Sequence, residues 1–192
     1  MKKLWLIIAF VLVAAAHLAT PVVMICQREN ILRTGHAYKF RTRPVDPVDA
    51  FRGRYVQLSF EQDHAPWHSR GEFISGAETF AHVEEGTDGF AVIRTITPMP
   101  PEHGDFLKVH AQYRGWRTND QDQVFFTLPF DRYYLKETKA PKAEEVYREH
   151  NRRNQTNLNT YAVVRIKNGD SALEELYVGG KPIQDYLRAA KP

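Results

Sequence analysis

Two acidic residues, Asp46 and Asp49, stand three apart in the run Asp46-Pro47-Val48-Asp49-Ala50-Phe51-Arg52-Gly53-Arg54-Tyr55, which adds a guanidinium at Arg52 and a phenol at Tyr55. Far downstream, Arg132-Tyr133-Tyr134-Leu135-Lys136-Glu137 supplies a second phenol at Tyr133 and a carboxylate at Glu137. A hydrolase or small-ligand-binding enzyme would need such a set, Asp46, Asp49, Tyr133 and Glu137, with its carboxylates facing each other. If Arg52, Tyr55, Tyr133 and Glu137 converge, they make a polar-aromatic cleft for a peptide or small ligand. The preferred readings are plainer. Asp46, Asp49 and Arg52 form a hydrogen-bonded corner, and the tyrosines form cross-strand pairs in a sheet. Near carboxylate pairs such as Glu137 with Glu145 are unspecific, because Asp and Glu make up 23 of 192 residues.

Other chemistries find weaker footing. His64 and His68 are four apart beside Asp63, a spacing that would place both on one helix face as weak metal-ligand candidates. Pro66 between them makes that helix doubtful, so no metal is expected. His82 and His110 fall on separate predicted strands and are read as core-edge residues. The order of anchor, strands and Gly104-Asp105 faintly resembles membrane-anchored signal peptidases, yet no serine precedes Ser59, which lies inside a strand. No cofactor is expected. The reading without an enzymatic role is preferred.

Strands must position these groups. Pro44 and Pro47 bar regular pairing before Asp49, and Gly53 offers backbone conformations that a Cβ hinders. Val56, Leu58 and Phe60 then alternate with Tyr55, Gln57 and Ser59, the period of a half-buried strand. Further strands are predicted at Ala37–Thr42, Thr79–Val83, Phe90–Thr97, Phe106–Tyr113, Val124–Leu128, Tyr161–Ile166 and Leu173–Val178. Asp88-Gly89 and Lys167-Asn168-Gly169-Asp170 mark tight turns between neighbours. Residues Glu61–Glu78 read as an irregular loop. One helix begins near Pro141, with Ala143, Val146, Tyr147 and His150 on one face and Glu144–Arg148 and Glu149–Arg153 as i,i+4 pairs. A second short helix is predicted over Pro182–Ala190. The fold class is therefore mainly β, at the margin of α+β: one antiparallel β-rich domain with one or two short helices.

Ahead of that domain, Leu4 to Cys26 holds three residues that are not plainly apolar, His17, Thr20 and Pro21. Twenty-three helical residues reach roughly 35 Å, enough for a hydrocarbon core of about 30 Å. A cleaved signal peptide, with Ala14-Ala15-Ala16 as its cleavage site, and lipid attachment at Cys26 are rival readings. The apolar run Val22–Cys26 beyond Pro21 and the bulk of Ile25 favour an uncleaved anchor. The division is thus residues 1–26 as membrane anchor and 27–192 as domain. A single cysteine, inside the span, is compatible with an oxidising compartment. The expected topology is a short N-terminal tail inside the cell and the domain outside the cytoplasm. Removing Lys2 and Lys3 from 26 basic residues leaves 24 against 23 acidic ones. So neutral a domain, with no basic patch interleaved with aromatics, argues against a nucleic-acid partner.

The stretch Gly53-Arg54-Tyr55-Val56-Gln57-Leu58-Ser59-Phe60 resembles the motif that names the GDYXXLXY family of membrane-anchored bacterial proteins. Gly53, Tyr55 and Leu58 fall on the motif, while Arg54 stands where the family has Asp and Phe60 where it has Tyr. The approach from Glu29 to Pro47, the segment Arg132–Glu137 with Glu144 and Glu145, and Tyr161–Gly180 are also similar to it. The resemblance implies a bacterial inner-membrane protein with one span and a periplasmic domain. It further implies an accessory or binding role beside a multi-spanning membrane protein, with the bilayer itself as the other partner.

Overall fold

The structure is a computed structural model, and it describes residues 2–43, 55–69, 73–118, 121–136, 138–150 and 160–189. The N-terminal helix α1 spans Lys2–Thr34. It is long and apolar enough to cross a membrane, and its apolar stretch is not buried against the rest of the chain. Hydropathy ends the anchor at Cys26, but the helix does not stop there. Gln27-Arg28-Glu29-Asn30-Ile31-Leu32-Arg33 lacks Pro and Gly and is dominated by good helix formers. An Arg33–Glu29 pair at 2.9 Å, four residues apart, adds local support.

Twelve strands follow among the described residues, in three groups. One open antiparallel sheet has the order β12-β11-β10-β1-β3, from Lys181–Pro182, Asp170–Val178, Tyr161–Lys167, His36–Arg43 and Ser59–Phe60. The second has the order β4-β8-β7-β5-β6, from His64–Pro66, Gln121–Phe126, Asp105–Thr118, Glu78–Glu85 and Ala91–Thr97. A parallel bridge between Trp67 and Ile96 draws its two edges together into a near-barrel. The third group is a two-stranded ribbon of β2, Tyr55–Gln57, and β9, Arg132–Tyr134. Helix α2, Ala140–His150, turns Ala143, Val146 and Tyr147 inward; α3, Ile183–Ala189, buries Ile183 and Leu187.

The sheets share one apolar core, in which Ile96, Leu107, Leu176 and Ile183 are fully buried. Polar fasteners join them at the rim. Tyr38 and His36 both reach Asp105 Oδ2 at 2.9 Å, Arg41 meets Asp88 at 2.8 Å, and the Lys108 N–H donates to the Gly169 carbonyl at 3.0 Å. Asn168 (φ 52°) and Gly169 (φ 86°) form the two-residue turn that the sequence announced, with Lys167 opposite Asp170.

Three expectations are corrected. The strand Tyr55–Phe60 is two strands. The Leu58 N–H donates to the Asp131 carbonyl at 2.7 Å, and there the chain changes partner from β9 to β1. The side-chain alternation survives the switch, with Val56, Leu58 and Phe60 buried. The loop Glu61–Glu78 contains β4, whose pairing with β8 tolerates Pro66 because the strand lies at a sheet edge. Finally, β7 runs to Thr118 rather than Tyr113, absorbing an irregularity between Tyr113 and Trp116.

Candidate functional site

Asp46, Asp49, Arg52, Gly53 and Glu137 lie outside the described residues, as do Arg54 and Arg153. Two of the expected site residues, Tyr55 and Tyr133, are placed. They occur in the same ribbon but not on the same face. Tyr55 opposes Tyr134 and Val56 opposes Tyr133, so the period-two alternation sends Tyr133 inward with Val56 and leaves Tyr55 outward with Tyr134. A single cleft lined by both Tyr55 and Tyr133 is therefore not formed.

The inward phenol has a structural task. Tyr133 O–H donates to Glu175 Oε1 at 2.6 Å and accepts from Gln184 Nε2 at 3.1 Å. Burial pushes its pKa well above the ordinary tyrosine range, reinforced by the Glu175 carboxylate that takes its proton in a hydrogen bond. A phenol so held is a tie between β9, β11 and α3. It offers no acid or base to a substrate, so the described member of the hydrolase set gives that reading no support.

The outward face is different. Tyr134 is 62% exposed, its ring centroid lies 5.7 Å from that of Tyr55, and the Arg132 guanidinium stands 5.2 Å over the Tyr55 ring. Clefts flank this patch at both ends of the ribbon. One, of about 340 Å³, is lined by Tyr134, Leu135, Lys136, Lys139 and Gln184. The other, of about 300 Å³, lies along Arg43, Gln57, Ser59, Asp63 and Asp131, floored by Leu58 and Phe126.

Polar groups in the second cleft hold one another in place. Arg43 Nη1 donates to Asp63 Oδ2 at 2.7 Å and Arg43 Nε donates to Ser59 Oγ at 2.7 Å. His64 Nδ1 meets the other Asp63 oxygen at 2.8 Å, and Gln57 Nε2 donates to Asp131 Oδ2 at 3.1 Å. Burial raises the Asp63 pKa, but hydrogen bonds from His64 and Arg43 outweigh it and hold the carboxyl below its usual range. Ser59 accepts from a permanently charged guanidinium, which cannot serve as its base. The arrangement can recognise: exposed aromatic rings, a stacked arginine and two lysines suit an acidic and apolar partner surface.

The histidine expectations resolve by register. His64 lies on β4 and packs at a tilt against Phe125, ring centroids 5.6 Å apart, while His68 follows the strand, its N–H donating to the Ile96 carbonyl. Among the described residues, no group of three or more His, Cys, Asp or Glu is arranged to hold a metal ion. His110 opposes Glu78 whereas His82 opposes Phe106, four residues along β5, so these two histidines do not meet.

Tyr134 and Lys136, which the sequence offered as part of a surface feature, do lie on this surface, and Arg132, Lys139 and Gln57, which sequence reasoning gave no role, complete it. The triplet Arg132-Tyr133-Tyr134 held a signal, since alternation must expose the first and third residues if the middle one is buried.

The sequence model of the family described as GDYXXLXY protein matches residues 17–176, most of the chain. No curated protein and no solved structure matches.

Proposed function

Because this chain belongs to the GDYXXLXY family, we propose that it is a membrane-anchored accessory or binding protein that works beside a multi-spanning inner-membrane protein, with its β-rich domain in the periplasm. One observation carries the reading: the anchor and the domain are a single continuous piece. After α1 the chain turns at Gly35 straight into β1, and the helix end is fastened to the open sheet. Lys167 Nζ donates to Thr34 Oγ1 at 2.7 Å, and Arg165 Nη1 donates to the Gly35 carbonyl at 3.2 Å. Eight helical residues beyond Cys26 span about 12 Å. The domain is therefore held close to the bilayer surface rather than trailing on a tether. A domain so held suits a partner in the same membrane, and the Tyr55–Tyr134–Arg132 face supplies the kind of side chains that anchor protein interfaces.

Co-purification of the full chain in mild detergent tests this reading. Recovery of one multi-spanning protein in a fixed ratio, reduced by Tyr134→Ala or Arg132→Ala, is the expected result. A chain recovered alone, or a co-purifying protein indifferent to both substitutions, refutes the proposed role of that face. Protease added to spheroplasts should digest the domain; digestion only after the inner membrane is permeabilised would reverse the assigned orientation.

A further inference from the structure

Within α1, His17 is exposed, and its ring nitrogen Nδ1 lies 2.9 Å from the Val13 carbonyl oxygen. A carbonyl only accepts, so Nδ1 carries the proton, and in the neutral ring Nε2 is left as an acceptor pointing away from the helix. Four residues later stands Pro21, inside the helix. Proline has no N–H, so the His17 carbonyl has lost the i+4 donor that every interior helical carbonyl expects. The nearby hydroxyl does not replace it, because Thr20 Oγ1 donates to the Ala16 carbonyl at 3.0 Å. Two acceptors on one residue thus lack their usual donors.

Their depth makes this consequential. The midpoint of Leu4–Cys26 is residue 15, so His17 lies about 3 Å from the middle of the span. Water is absent there, and a polar group facing hydrocarbon without a partner costs several kcal/mol. On the same helix face lie Val13, Pro21 and Met24, at helical spacings from His17, all outward and exposed.

We propose that the His17 face, with Val13, Pro21 and Met24 around it, is the docking surface for a transmembrane helix of the partner that brings a side-chain hydrogen-bond donor to His17. The inference rests on the anchored reading above. A second copy of this chain is the poorer occupant, because the polar groups it would bring to the same depth are already committed: its His17 N–H to Val13 and its Thr20 hydroxyl to Ala16. A donor such as a serine, asparagine or tryptophan side chain on a different helix satisfies the site.

The experiment places a photo-crosslinking residue in the full membrane-borne chain at Val13 or Met24, and on the opposite face at Ala15 or Ala19. Adducts of one defined larger mass are expected from the first pair and not from the second. His17→Leu, which removes the ring acceptor, and Pro21→Ala, which returns an N–H to the His17 carbonyl, should each lower the adduct yield roughly 3- to 30-fold, the range of one interhelical hydrogen bond in a membrane. Neither change touches the β domain, so its melt serves as the folding control. Equal adducts from both faces, no adducts, an adduct at twice the chain mass, or yields indifferent to both substitutions would each overturn the inference. Intact mass of the membrane-borne chain separates the two failures: a chain lacking residues 1–26 refutes the anchor itself, whereas a complete chain without face-specific adducts refutes this interface alone.

Discussion

The two five-stranded sheets share a core, but they are used differently. In the near-barrel, edges meet: the His68 N–H donates to the Ile96 carbonyl at 2.9 Å, and the Thr95 hydroxyl donates to the Pro66 carbonyl at 3.1 Å. Such closure removes the free edges that a sheet otherwise presents. The other sheet stays open, and the remaining helices and the ribbon attach to it. The end of α1 fastens to β10, Tyr133 ties the ribbon to β11 and α3, and the Tyr147 hydroxyl reaches the Arg43 carbonyl at 3.5 Å. A closed sheet buttresses, and an open one carries attachments. The N-terminal helix and the candidate recognition face are therefore parts of one half of the molecule.

The largest expected effect asks whether the halves unfold together. Leu107, in β7 of the near-barrel, and Leu176, in β11 of the open sheet, are each fully buried. Replacing either by alanine should cost about 2–5 kcal/mol, from lost burial plus a cavity. Denaturant melts of the full chain in detergent should shift as one transition for both variants. Two separable transitions would break the comparison into two independent units.

Next come the junctions. A Cβ at Gly169 would lie 2.5 Å from Phe106 Cε2, at a φ of +86° that side chains rarely adopt. One at Gly35 would lie 2.6 Å from the Ile31 carbonyl and 3.0 Å from the Ile166 carbonyl, both backbone. Gly169→Ala is expected to cost about 1–3 kcal/mol by melting. Gly35→Ala should do similar damage and also loosen the helix from β10, read as a broadened distance between spin labels on α1 and on β10. An unchanged distance would mean that the fastening does not depend on this close approach.

A smaller effect sharpens the contrast between the ribbon's two faces. Tyr133→Phe strips Glu175 and Gln184 of a buried partner and should cost about 1–2 kcal/mol. Tyr134→Phe, on the exposed side, should leave the melt unchanged. Equal costs would show that the two faces are not distinguished as described.

The smallest effect is in the near-barrel and depends on pH. Burial holds the His82 pKa below the ordinary histidine value, outweighing the nearby Glu84, while Nε2 bonds to the Thr97 hydroxyl at 2.9 Å. A folded-state pKa below the unfolded one contributes stability that is present above about pH 6.5 and is lost as pH falls through the folded value. The melting temperature of the parent should therefore fall more between pH 7.5 and pH 5 than that of His82→Gln. Parallel profiles would remove His82 from the account.

Much of this architecture was legible in the sequence because its signals are local. Alternation located the buried Val56, Leu58 and Phe60, strand-forming runs between turn signals located β1, β5, β10 and β11, and Asn168-Gly169 fixed a turn through backbone angles that few residues adopt. What failed to show was non-local or ambiguous in parity. Nothing near Leu58 says that a distant carbonyl at Asp131 will divert its strand. Two adjacent tyrosines, Tyr133 and Tyr134, announce that one is inside, but the choice depends on Glu175 and Gln184, more than 40 residues away. The end of the N-terminal helix was not legible from the apolar run, because hydropathy measures solvent preference, whereas Gln27 to Arg33 continue the helix through backbone propensity.

The unbroken passage from apolar helix to sheet gives the length of α1 a meaning beyond reach. With the helix end fixed at Gly35, each residue below it has a set compass bearing relative to the domain. One residue inserted between Cys26 and Arg28 would swing everything below by about 100° and lower it by about 1.5 Å, whereas seven would return it to within about 20°. The direction in which His17 looks from beneath the domain is thus written in the number of residues between them. Apolar substitutions along that stretch leave the bearing intact, and a single deletion does not.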